Sequence, residues 1–369
     1  MKAIVRVALA CLVVTSLCAA PAASFAKKRS QKKAVASAAR DGKARPTYAL
    51  RADVLEFVDE LAGRHGFRRD ELITLFGSVR YNETAARLTA PASSATRRDW
   101  SVYRARFVEP VRIAAGVRFW DSYAPLFERA EREFGVPAEI IVGILGVETV
   151  FGRNTGSFRV VDALTTLAFD YPNKERDRSP FFRGQLEDVL VLARDTGIDV
   201  FGLRGSYAGA VGMPQFMPGS IRSYAVDYDG DGVIDLAGSP ADVIGSVANF
   251  LAQHGWVRNL ATHVPLRHAQ SIEATEAAST AVIGNAGSVP TLSYADLMAA
   301  GFAATSPPPD APLALIDLPS GSDASGNPMI AYLAGTQNFH VITRYNRSYF
   351  YAMSVIDLGG AIKALREAR

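Results

Sequence analysis

The stretch "PAEIIVGILGVETVFGR", residues 137–153, decides how this chain is read. A proline opens it, as suits the first turn of a helix, and the apolar residues that follow recur at helical spacing. Its late acidic residue, Glu148, lies seven, four and three positions after Ile141, Ile144 and Leu145, on the apolar stripe of the helix. An ionised carboxylate on such a face is costly unless it is paired or stays protonated. Two readings are open from these residues: a helix-end Glu turned to solvent, or a general acid flanked by Gly146 and Gly152 where a substrate comes close.

Outward from this stretch the pattern is mainly helical. Val54, Phe57, Val58 and Leu61 share one face, and helical segments continue through 100–134 to a stop at Gly135. Further helices are expected over about 179–195, 240–254 and 348–367, with a short one near 293–300 in an Ala-, Ser- and Pro-rich region. "APLALIDL", "NPMIAYLAG" and "FHVITRY" read as short strands near the C-terminus. The fold class is therefore mainly α (α+β): a helical body with a small strand-containing subdomain.

The first 26 residues have two basic residues, an apolar run from Val7 to Leu17 and a small-residue end at Ala26, the pattern of a signal peptide. The apolar run is too short to span a bilayer comfortably. Both cysteines, Cys11 and Cys18, lie inside it, so neither a disulfide nor a thiol nucleophile is expected after its removal. Leu17 is a poor fit to the small residue that lipidation of Cys18 requires, so a periplasmic protein is expected in preference to an outer-membrane lipoprotein. The net charge of +3 divides into +2 on residues 1–26, +7 on residues 27–45 and −6 on the remainder. The basic segment, about 27–47, reads as a disordered linker, which with lipidation is the only route to membrane contact. The acidic body argues against nucleic acid as a partner.

Three further stretches carry chemistry. "SYAGAVGMPQFMPGSI" (206–221) is a turn-rich wall with one amide, Gln215, and "RYNRSYFYAMS" (344–354) gathers tyrosines, an amide and arginines in a density that suits sugars. Either could equally be ordinary packing at an element junction. In "VDYDGDGVIDL" (226–236), Asp227, Asp229 and Asp231 occupy positions 1, 3 and 5 of a calcium loop, Gly232 position 6, the Val233 carbonyl position 7 and Asp235 position 9. Position 12 is Gly238, and Asp242 is the nearest acid downstream. A structural Ca2+ is expected there, and no organic cofactor.

Together with "DALTTLAFDYP", "DVIGSVANFLAQHGW" and "NFHVITRYNRS", these stretches resemble the lytic murein transglycosylase B family, in its motif order, from about 50 to 369. The resemblance implies a lysozyme-like helical catalytic core over about 100–260, a small subdomain over about 305–346 closed by a C-terminal helix, and an EF-hand-like calcium loop. It places the catalytic acid at Glu148 and substrate contacts at Tyr103, Ser206, Gln215, Tyr345 and Asn346, with Ser206 orienting Glu148. The metal ligands it implies are Asp227, Asp229, Asp231, Val233 and Asp242. Met213 and Pro214 stand where some members have Tyr-Gly. The implied reaction is non-hydrolytic cleavage of the MurNAc-β-1,4-GlcNAc bond to a 1,6-anhydromuramoyl end. The partners it implies are peptidoglycan glycan strands and complexes of wall synthesis or hydrolysis. A hydrolytic muramidase and a non-catalytic, calcium-stabilised wall-binding protein are the alternatives.

Overall fold

The computed structural model of the protein describes residues 47–90, 99–268 and 289–369. The signal-peptide reading, all of the basic linker but Thr47, and most of the 90–99 loop fall outside the described residues. After a 3-10 turn at Tyr48–Leu50, helices α1 (Ala52–His65), α2 (Arg69–Ser78), α3 (Glu83–Thr89), α4 (Trp100–Ala105), α5 (Pro110–Ser122) and α6 (Ala124–Phe134) lead to α7 (Ala138–Thr149). Then come α8 (Val160–Phe169), α9 (Ser179–Thr196), α10 (Pro218–Tyr224), α11 (Pro240–Gln253), α12 (Tyr294–Ala299), α13 (Gln337–Tyr345) and α14 (Tyr349–Glu367).

Helix α7 is the centre of the main core. Ten of its twelve residues are buried, which marks a helix apolar on all sides and surrounded by others. α14 runs antiparallel along it at backbone contact. A Cβ at Gly143 would lie 2.3 Å from the Val355 carbonyl oxygen, and one at Gly359 would lie 2.0 Å from the Glu139 carbonyl oxygen. No side chain larger than hydrogen fits either crossing. These contacts fix the register of the pair, and a little over one turn further along they bring Tyr351 opposite Glu148.

Strands β3 (His263–His268), β4 (Phe302–Ala304), β5 (Ala314–Ser322) and β6 (Pro328–Gly335) form an antiparallel sheet in the order β4-β3-β6-β5. Side chains alternate across it. Leu313 and Leu315 join a small core with Val264, Leu297 and Phe302, while Ile316 and Leu318 face the main core. Two strands, β3 and β4, lie in the Ala-, Ser- and Pro-rich region where only a short helix is expected from sequence. One expectation is corrected: "FHVITRY" is not a strand but the body of helix α13. The Thr336 side chain caps it by accepting from the Asn338 N–H, and Phe339 and Ile342 bury one helical face. A two-residue ladder, β1 (Phe158–Arg159) with β2 (Arg204–Gly205), ties the segment after α7 to the 204–217 loop. Among the described residues no helix is long and apolar enough to cross a membrane.

Candidate active site

Glu148 is the penultimate residue of α7, and the chain turns sharply just beyond it. Val150 and Phe151 both adopt left-handed backbone (φ 52° and 58°), followed by Gly152 at 84°. Each non-glycine residue held there costs on the order of 1 kcal/mol, so the surroundings must enforce it. The Phe151 N–H donates to the Leu145 carbonyl at 3.1 Å, and the Phe151 ring stacks on Phe119 at 5.2 Å. The helix is thereby stopped one residue past the acid.

Glu148 receives one side-chain hydrogen bond, from the Tyr351 hydroxyl to Oε1 at 2.6 Å. Burial raises its pKa from 4.5 to about 7, while the Tyr351 hydroxyl, by stabilising the anion, pulls the other way. No second carboxylate among the described residues contributes to this shift. Tyr345 and Tyr351 stack at 6.4 Å with ring planes 14° apart. Their own hydroxyls are held well above the usual phenol range, first by burial and then by the charge of Glu148. Tyr103, half-buried, is raised for the same two reasons. Three tyrosines therefore sit within electrostatic reach of one carboxyl.

Of the contacts read from sequence, Tyr103 and Tyr345 converge on Glu148 in this way. The Tyr345 hydroxyl donates to the Pro214 carbonyl at 2.6 Å, which joins the end of α13 to the 204–217 loop. Gln215, itself left-handed at φ 54°, donates its amide to the carbonyls of Thr155 and Gly212 at 3.1 and 2.9 Å. Asn346 caps the end of α13 and is exposed. Ser206 does not hydrogen-bond Glu148; its hydroxyl accepts from the Ala208 and Ala210 N–H groups within its own turn. The orienting part expected of Ser206 falls to Tyr351. Sequence reasoning passed over Tyr351 because nothing in "SYFYAM" separates it from Tyr349, which turns the other way and donates to Asp317 on β5 at 2.9 Å. The one usable signal was helical spacing against the glycines of α14 and α7.

The loop between α10 and α11 makes a helix–loop–helix unit. Asp227, Asp229 and Asp242 each bring a carboxylate oxygen within 4.8 Å of the others. Asp242, 1% exposed, accepts from the Tyr228 and Asp235 N–H groups at 2.7 and 2.8 Å. Asp231 is turned instead to the Val233 N–H at 2.8 Å, and Val233 is exposed. Three clustered carboxylate oxygens are a donor set that fits a hard divalent cation.

Residues 49–360 match the family described as Transglycosylase SLT domain. The chain is 38% identical over 338 residues to membrane-bound lytic murein transglycosylase B of Escherichia coli (strain K12), covering 86% of this chain and 85% of that protein. The solved structure of catenated lytic transglycosylase SltB1 from Pseudomonas aeruginosa matches with a TM-score of 0.77 at 43% identity, over 86% of this chain and 99% of that one. The Escherichia coli lytic transglycosylase Slt35 in complex with calcium matches with a TM-score of 0.71 at 36% identity, over 87% and 95%. With a family match running through nearly all of the described residues and an acid seated at the end of the central helix, the chain belongs to the transglycosylase SLT domain family.

Proposed function

We propose that this peptidoglycan lytic transglycosylase works through Glu148 alone as acid and then base. The observation that carries the reading is one partly buried acid, bonded to Tyr351, whose carboxyl burial pushes up to about 7 with no contribution from a second carboxylate among the described residues. Most glycosidases need two carboxyl groups, one to activate water or to form a covalent intermediate. Here the protonated Glu148 donates to the oxygen between MurNAc C1 and GlcNAc O4, and the C1–O4 bond breaks. The resulting carboxylate then takes the proton of the muramoyl C6 hydroxyl as O6 bonds to C1. The proton lost from Glu148 leaves on the GlcNAc hydroxyl, the carboxyl is regenerated, and no water is consumed. An internal hydroxyl held against C1 has a high effective molarity, which favours it over solvent. Tyr103, Tyr345, Gln215, Ser206 and Asn346 are the proposed sugar contacts.

The test is mass spectrometry of digested murein: 1,6-anhydromuramoyl ends are expected, and reducing ends without anhydro sugar would mean a hydrolytic muramidase. The Glu148→Gln protein is expected to bind sacculi without cleaving them.

We further propose that Asp227, Asp229 and Asp242 hold a calcium ion, with Asp231 and the Val233 carbonyl as the remaining candidates. Support comes from the clustered oxygens and from the calcium complex of the Slt35 relative. A bound ion would neutralise repelling carboxylates and tie α10 to α11. The apolar run Val7–Leu17 and the membrane-bound Escherichia coli relative support export and action on periplasmic glycan strands.

A further inference from the structure

We propose that Thr149, next in sequence to the acid, is the positioning residue of this site: its hydroxyl clasps the end of α7 to the 211–216 loop and so holds the Glu148 carboxyl on Tyr351. The inference rests on the reading of Glu148 as the acid. Thr149 is fully buried, with no exposed surface. Its Oγ1 donates to the Met213 carbonyl at 2.8 Å and accepts from the Gly152 N–H at 2.9 Å. One hydroxyl therefore answers a carbonyl on one segment and an amide on another, which valine, of the same shape, cannot do.

The two bonds act on different things. The bond from Gly152 closes the turn around Val150 and Phe151, the two left-handed residues whose relaxed state is helical. The ring of Phe151 is also wedged between α5 and α7: a Cβ at Gly116 or at Gly146 would lie 3.0 Å from its Cζ. Wedge and hydroxyl together keep α7 from winding on past the acid. The bond to Met213 anchors that turn to the cleft wall. The wall is held from elsewhere, since the Met213 N–H donates to the Leu236 carbonyl at 2.8 Å, Tyr345 donates to Pro214, and Gln215 reaches Thr155. Without the hydroxyl, the wall keeps these ties while the last turn of α7 loses its direct bond to the wall. The acid and the sugars the wall grips then no longer share one frame. Placement of reacting groups is worth orders of magnitude in rate, and a misplacement of about 1 Å can cost about a hundredfold.

The test compares Thr149→Val, which keeps shape and β-branching but lacks the hydroxyl, with Thr149→Ser, which keeps the hydroxyl. Steady-state rates are measured on soluble glycan strands well below each protein's melting temperature, with Glu148→Gln alongside. The valine variant is expected to lose at least about tenfold in kcat with KM changed by less than about twofold, and serine to recover kcat to within about threefold of the parent. A valine variant with parental kcat overturns the proposal, and so does a serine variant as slow as valine. If valine does not fold, Thr149→Ala is read by the same criteria. If neither folds while serine is fully active, the residue is structural and the proposal fails. An active Glu148→Gln protein would overturn the reading of the acid itself; an inactive one beside a normal valine variant would overturn only the role of Thr149.

Discussion

At neutral pH Glu148 stands near half protonation, since burial lifts its carboxyl to about 7. Protonated, it can act as the acid, so kcat is expected to fall as pH rises through about 7, roughly tenfold per unit beyond it. A rate that stayed flat to pH 9 would contradict this. The same shift bears on stability. The folded protein holds this proton more tightly than the unfolded chain, whose carboxyl titrates near 4.5, so stability is lost as pH climbs from there through 7. The penalty at alkaline pH is on the order of 3 kcal/mol. Glu148→Gln should therefore melt higher than the parent at pH 8, with the gap closing by pH 5 in a calorimetric comparison. Tyr351→Phe removes the donor that favours the anion. Its alkaline limb should move to higher pH and its kcat drop by about an order of magnitude. Glu148 itself was legible in sequence because three-, four- and seven-residue offsets put it among Ile141, Ile144 and Leu145, all of them fully buried. Tyr351 was not, because its partner lies 203 residues away and only helix register connects them.

Among the elements, the α7–α14 pair and the aspartate loop make the sharpest claims. Gly143→Ala would drive a methyl into the Val355 carbonyl and force the helices apart. A loss of about 2 kcal/mol or more in denaturant unfolding is expected, with kcat reduced even where the protein remains folded. Wild-type kcat in a stably folded Gly143→Ala protein would show that the register does not matter. For the loop, saturating calcium should raise the melting temperature of the parent by a few degrees over chelator, as expected for a ligand bound only by the folded state. Asp227→Ala should abolish that difference. Helix limits were readable where a breaker or an opening proline marks them, as at Gly135 and Pro137. "FHVITRY" misled because its β-branched residues favour strands in isolation. The Thr336 cap and the core under Phe339 and Ile342 override that preference. The β3 and β4 strands were hidden for the opposite reason: β3 is short and interrupted by a proline, β4 has only three residues, and they gain their order from pairing with each other and, for β3, with β6.

For the whole molecule, fold class and family were both accessible from sequence, since long helices and an ordered series of motifs survive without any knowledge of packing. Assembly of the site was not, because it needs α4, α7, the 204–217 loop, α13 and α14 at once. That assembly has a consequence in time. Glu148 is made long before Tyr351, 203 residues later, exists to meet it. Of the chain's 369 residues, 203 separate the acid from the hydroxyl that bonds it. The site is complete only with its last long helix in place, so loss of the C-terminal helix would strip the acid of its partner while leaving the acid itself in the chain.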